Sequence, residues 1–214
     1  MTGLILAAAG SGSRFGSPTP KQFLRMGGER LYRLALNPFL PFLDEAVILV
    51  PEDWIERVRR ELSAGAVKGR EWRVAAGGRH RQDTVSRGLQ LLSPGVEIVL
   101  VHDAARPYVD ARLISRVIRT VRRGKAAVPV LKIRDTVKQV VSGRVEGTLE
   151  RERLGLAQTP QGFPAEILNE ALRQAGRDHF YGTDESSLVE RIGAEVQAVE
   201  GDPRNLKVTF EGDL

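Results

Sequence analysis

Gly3-Leu4-Ile5-Leu6-Ala7-Ala8 runs without interruption into Ala9-Gly10-Ser11-Gly12-Ser13-Arg14-Phe15-Gly16, and Pro20-Lys21-Gln22 follows. A short continuous apolar run stopped by glycines suits a buried parallel strand. Glycines directly after such a strand leave backbone N–H groups free to approach phosphate oxygens, and open α/β sheets bind ligands at strand carboxyl ends. Two familiar loops are excluded. The P-loop needs a Lys-Ser or Lys-Thr pair after its glycines, and none follows here. The dinucleotide fingerprint needs a third glycine three residues after Gly12, where Phe15 stands. What remains is a glycine loop over residues 10–21 with one cation inside it, Arg14, and one after it, Lys21. The glycines alone are equally compatible with a tight turn; the two cations turn the reading towards phosphate.

Outward from this loop, strands and helices alternate. Residues 46–50 repeat the apolar run and are stopped by Pro51. Residues 52–63 place Trp54, Ile55, Val58 and Leu62 at helical spacing. Strands are predicted over 72–76, 96–102 and 126–131, with helices over 84–92 and 111–121. This rhythm predicts a doubly wound α/β sheet. It breaks near Ile133. Residues 136–141 and 144–149, joined by Ser142-Gly143, read as a β-hairpin arm over 133–154 within a single domain. An isolated two-stranded hairpin is marginal in water, so the arm needs a packing surface on its own domain or on a second subunit. Helices are expected over 164–174 and 186–192, and strands over 196–199 and 206–210.

The bulk composition bounds the function. A chain of 214 residues with 42% hydrophobic and 28% charged residues is globular, with no sign of wholesale disorder. The absence of cysteine excludes disulfides, thiolate metal sites and a cysteine nucleophile. The net charge of +5 fits nucleic acid, an anionic membrane or a polyanionic small substrate. Much of the Arg lies along helix-like stretches, such as Arg57, Arg59 and Arg60, and reads as solvated surface. No nucleic-acid signature accompanies it. The apolar run at the N-terminus is too short for a signal peptide or a span. A cytoplasmic protein with neither nucleic-acid nor membrane partners is expected.

Leu6-Ala7-Ala8-Ala9-Gly10-x-Gly12-x-Arg14-Phe15-Gly16 with Pro20-Lys21-Gln22 resembles the signature of sugar-phosphate nucleotidylyltransferases. Further blocks narrow the likeness: Gly77-Gly78 with Arg81-Gln82-Asp83-Thr84-Val85, and Val101-His102-Asp103-Ala104-Ala105-Arg106-Pro107. So do Arg134-Asp135-Thr136-Val137-Lys138, Thr159-Pro160-Gln161, Thr183-Asp184-Glu185 and Asn205-Leu206-Lys207-Val208-Thr209. Together they are similar to the 2-C-methyl-D-erythritol 4-phosphate cytidylyltransferase family, in family order and over nearly the whole chain. The resemblance implies a mostly parallel, Rossmann-like α/β sheet, CTP and a polyol phosphate as substrates, Mg²⁺ held largely by the triphosphate, and a homodimer through the β-arm.

It also implies residue roles. Arg14 and Lys21 would stabilise the pentacoordinate phosphorus, and Ala8, Ala9, Gly10, Gly12, Gly78 and Thr84 would hold the nucleotide. Asp103 would lie beside the phosphates and the metal, although a strand-end Asp also suits a turn cap. Lys207 would position the acceptor phosphate. Arg151 would reach the acceptor of the other subunit, with Thr136 and Arg106 nearby. Thr183 suits a helix N-terminus as well as a substrate contact. His102 reads as packed, hydrogen-bonded structure, because an ionised phosphate nucleophile needs no base. The chain departs from the pattern at Arg79, where some relatives carry an acid, and at Thr84, where many have Ser. Relatives add a terminal helix beyond the Lys207 segment; this sequence ends at Leu214. A ribitol 5-phosphate cytidylyltransferase, a non-catalytic nucleotide binder on the same fold and a basic RNA-binding module are the competing readings.

Overall fold

The structure is a computed structural model that describes residues 1–10, 19–63 and 71–213. In chain order the elements are β1 (Thr2–Ala7), β2 (Arg25–Met26), β3 (Glu29–Arg30), α1 (Leu31–Leu36), β4 (Glu45–Val50), α2 (Ile55–Ser63) and β5 (Glu71–Ala76). Then follow α3 (Arg81–Leu91), β6 (Ile98–Asp103), α4 (Ala111–Val121), β7 (Ala126–Lys132), β8 (Val137–Val141) and β9 (Arg144–Leu149). The chain closes with β10 (Gly155–Ala157), β11 (Gln161–Pro164), α5 (Ala165–Arg177), α6 (Glu185–Arg191) and β12 (Val196–Glu200).

Among the described residues an eight-stranded sheet runs β10-β7-β11-β6-β1-β4-β5, with β12 also beside β7. β5, β4, β1 and β6 are mutually parallel, and β12 is parallel to β7. β10 and β11 are antiparallel to their neighbours. The doubly wound α/β expectation holds, because both faces of the sheet are covered. Leu4, Leu6, Ile48 and Leu100 point to one side, against α1, α2 and α4. Ile5, Val47, Val99 and Val101 point to the other, against α3, α5 and α6. The period of two along each strand divides one continuous apolar run between two cores.

The hairpin β8–β9 forms a separate two-stranded sheet. Its turn, Ser142-Gly143, has φ of 49° and 78°, the left-handed pair that matches the twist of the flanking strands. Residues 206–210, expected as a strand, form none. Their backbone rests on the loop beyond β6 through Val208 N–H to Ala105 O, and only Val208 of these five is fully buried. One backbone hydrogen bond to that loop makes no ladder. The short strands β10 and β11, the ribbon β2–β3 and helix α1 were not anticipated; each is at most six residues long, too short for periodicity to declare. No helix among the described residues is long and apolar enough to cross a membrane.

The candidate active site at the strand ends

The parallel strands place Ala8, Gly77 and Asp103 on one edge of the sheet, at the ends of β1, β5 and β6. The loop after β1 is anchored from its far end. Gln22, buried in the single 3-10 turn Lys21–Phe23, donates to Ala8 O at 2.6 Å and to Gly10 O at 2.9 Å. Ala9 is partly covered and Gly10 is exposed. Gly12 and Arg14, predicted nucleotide and phosphate contacts, lie outside the described residues. Gly78 crosses the start of α3 so closely that a Cβ would sit 2.3 Å from Asp83 Cβ. Its N–H donates to Thr84 Oγ1 at 3.0 Å, and that hydroxyl donates to His80 O at 3.0 Å. The Thr84 hydroxyl thus braces the turn and is buried. Arg79 is exposed.

Asp103 is the centre of the edge. Its Oδ2 receives Lys207 Nζ at 2.7 Å, and its Oδ1 receives Arg81 Nε at 3.1 Å. Burial opposes ionisation, but the surrounding cations Arg81 and Lys207 outweigh it and hold the carboxyl well below the usual range. The turn-cap reading of Asp103 is therefore not what its side chain does. Lys207, expected on a strand, lies on an irregular segment with its side chain 41% exposed. Lys21 meets the same segment, its Nζ donating to Val208 O at 2.7 Å. Amines from near the two ends of the chain are thus gathered on residues 207–208. Arg106 holds the segment from below, donating to Asn205 O at 2.8 Å. Its buried Nε has no partner among the described residues.

Beneath Asp103 a polar relay fixes the loop. His102 Nε2 lies 3.2 Å from Arg106 O, and a carbonyl only accepts, so Nε2 carries the hydrogen. Nδ1 then accepts from the Thr159 hydroxyl at 2.9 Å, while Asp103 N–H donates to Thr159 Oγ1 at 3.1 Å. The ring is neutral and structural, as expected; burial is the largest cause pushing it from 6.5 to about 3. The unfolded chain takes up this proton below pH 6.5, and the folded chain only near 3. Stability present above 6.5 is therefore lost as pH falls through that window, at about 1.4 kcal/mol per pH unit from this residue. His102→Gln is expected to flatten the plot of unfolding free energy against pH between about 6 and 4 by about one proton. Equal slopes for parent and variant would refute the neutral buried ring.

Thr183 is exposed and does not cap α6. Asp184 does, its Oδ1 accepting Ser187 N–H at 3.0 Å. Arg151 and Thr136 are exposed at the foot of the arm; Arg151 bonds Arg134 O and Glu152. Neither joins the Asp103 cluster within this chain. Residues without an assigned role in the sequence reading make much of the framework: Arg81, Glu185, Gln22, Gln161 and Asn205. All stand in or beside the motif blocks, which was the available signal.

A strand-end carboxylate with amines gathered beside it, on a doubly wound sheet, suits the phosphates that a nucleotidyltransferase handles. The family profile described as "IspD: 2-C-methyl-D-erythritol 4-phosphate cytidylyltransferase" matches residues 2–214. An enzyme of that name from Syntrophus aciditrophicus is 41% identical over 98% of this chain and 91% of its own length. A bifunctional enzyme IspD/IspF from Solidesulfovibrio magneticus is 46% identical over 98% of this chain and 54% of its own. The crystal structure of the cytidylyltransferase from Thermus thermophilus superposes with a TM-score of 0.79 at 33% identity, over 98% of this chain and 93% of its own. This chain belongs to the 2-C-methyl-D-erythritol 4-phosphate cytidylyltransferase family, nucleotidyltransferases of isoprenoid biosynthesis.

Proposed function

We propose that this chain transfers CMP from CTP to 2-C-methyl-D-erythritol 4-phosphate at the carboxyl edge of its sheet. An oxygen of the acceptor phosphate attacks the α-phosphorus, the bond from that phosphorus to the bridging oxygen breaks, and pyrophosphate leaves. No carbon centre reacts, and the nucleophile is already ionised. Catalysis is then positioning plus cations aimed at the developing charge. The observation that carries the reading is the convergence of Lys21 and Arg106 on residues 205–208, whose own Lys207 reaches Asp103. Lys21, with Arg14, serves the reacting phosphorus. Lys207 and the unpartnered Nε of Arg106 serve the acceptor phosphate. Ala8, Ala9, Gly10, Gly12, Gly78 and Thr84 take the nucleotide, with Thr183 on the acceptor side.

Mg²⁺ fits this site as an ion held mainly by the triphosphate. No group of three or more His, Asp or Glu side chains suited to a metal exists among the described residues, and Asp103 would offer one oxygen, Oδ2, once Lys207 leaves it. One carboxylate with substrate phosphates and water is how Mg²⁺ is commonly held. Bound there, it would neutralise charge on the triphosphate. The test is pyrophosphate release from each of the four nucleoside triphosphates with methylerythritol phosphate or ribitol phosphate as acceptor. Release with CTP and methylerythritol phosphate is expected; activity with ribitol phosphate alone would overturn the acceptor.

The arm β8–β9 completes the site of a second copy. Val140 and Val145, a cross-strand pair, are 56% and 63% exposed, and Val141 and Leu149 are 46% and 41% exposed, on a sheet too small to stand alone. Thr136 and Arg151 at its foot would reach a partner's acceptor. Lys21→Ala and Arg151→Ala enzymes, each inactive, are expected to regain activity when mixed and allowed to exchange subunits, because one site in the hybrid has both residues. Absence of rescue, with subunit exchange verified, would place Arg151 outside the partner's site.

A further inference from the structure

Behind Asp103 stands a second pair of charges. Arg81, the first residue of α3, turns its Nε to Asp103 Oδ1 at 3.1 Å and its Nη1 to both oxygens of Glu185, at 2.6 Å for Oε1. Glu185 opens α6 and is 1% exposed. The four side chains alternate in sign: Glu185, Arg81, Asp103, Lys207. The helices that carry the inner pair are locked together. Gln82 Nε2 donates to Phe180 O and its Oε1 accepts Gly182 N–H, while Gln161 bridges Asp184 and the N–H of Ser186.

We propose that Arg81 and Glu185 are positioning residues for the transfer, acting through Asp103 on Lys207. The inference rests on the proposed roles of Asp103 and Lys207. A guanidinium is a rigid planar fork, so two carboxylates on it fix its plane and its position. Glu185 alone would secure Arg81 for stability. The bond to Asp103 does something else: it occupies one carboxylate oxygen and leaves the other for Lys207. When an acceptor phosphate arrives, Lys207 can turn to it while Asp103 keeps a compensating cation. Without Arg81, Asp103 would grip Lys207 more tightly and repel the incoming phosphate. The acceptor, not CTP, bears the consequence.

Arg81→Met by itself leaves Glu185 buried without a partner and threatens the fold. The informative variant is Arg81→Met with Glu185→Leu, which removes both inner charges at similar volume, a change that buried ion pairs often tolerate. Supporting groups behind a reacting centre typically account for about tenfold to a hundredfold in activity. We expect that loss in kcat/KM for methylerythritol phosphate, carried by KM, with the KM for CTP changed by less than about threefold. A folded double variant with the parent's acceptor KM would reduce Arg81 to a structural partner of Glu185 and overturn the proposal. If the double variant does not unfold cooperatively, Arg81→Lys decides. It keeps the charge, but one ammonium cannot hold both carboxylates in the same geometry. A raised acceptor KM then supports the chain of charges, and an unchanged one overturns it. Lys207→Met and Asp103→Asn run beside these. Full turnover in either would remove the roles on which the inference rests; their inactivity with a parental double variant would remove the inference alone.

Discussion

Lys21→Met is expected to lower kcat by about a hundredfold to a thousandfold, the loss seen when one fixed donor to developing charge is removed, or roughly 3–4 kcal/mol of transition-state stabilisation. Methionine keeps an unbranched stem, so the 3-10 turn and the Gln22 anchor to Ala8 and Gly10 stay in place. What goes is the ammonium and its bond to Val208 O. That bond is partly solvated, and its loss is worth about 1 kcal/mol of stability, or roughly 2–4 °C in melting temperature for a chain of this size. Steady-state pyrophosphate release and a thermal melt separate the two effects. A kcat near the parent's would remove Lys21 from the reaction. A collapse of the melt in step with activity would make it a structural lysine.

Phe163→Ala is expected to destabilise the fold by about 3–5 kcal/mol, the usual range for emptying a buried phenylalanine site. Phe163 is fully buried on β11, in the core shared by α3, α5 and α6, and pairs in register with Val99 of β6. At roughly 2–4 °C per kcal/mol the melting temperature falls by about 6–20 °C. Gln161, two residues before it, receives Ser186 N–H and donates to Asp184 at the start of α6. The loosened strand therefore also loosens the support of Glu185. Denaturant unfolding measures the first effect; a loss below about 2 kcal/mol would show that β11 is not the central strand its burial indicates.

The strand β11 marks the limit of sequence reading here. Its four residues, Gln161–Pro164, end in proline, contain a glycine and carry no alternation. Only its place between β6 and β7 makes them a strand. The same holds for residues 206–210, where alternating apolar side chains suggested a strand and tertiary contacts gave an irregular clasp. Lys207 illustrates both sides. Its residue type and its motif block were visible in the chain, whereas its partner lies 104 positions away on β6. Arg81 and Glu185, also 104 positions apart, each stood in a motif block, but nothing local paired them.

Local patterning by itself determined the parallel strands, their following helices and the Ser142-Gly143 hairpin. Those features follow from apolar periodicity and turn chemistry between near neighbours, and a chain cannot hide them. Which cations meet which carboxylate, that Asp103 is shared between Arg81 and Lys207, and that an antiparallel strand closes against β6 were decided only by the tertiary structure. A charge finds its partner through space, and the distance along the chain carries no information about it until the sheet has brought the strand ends together.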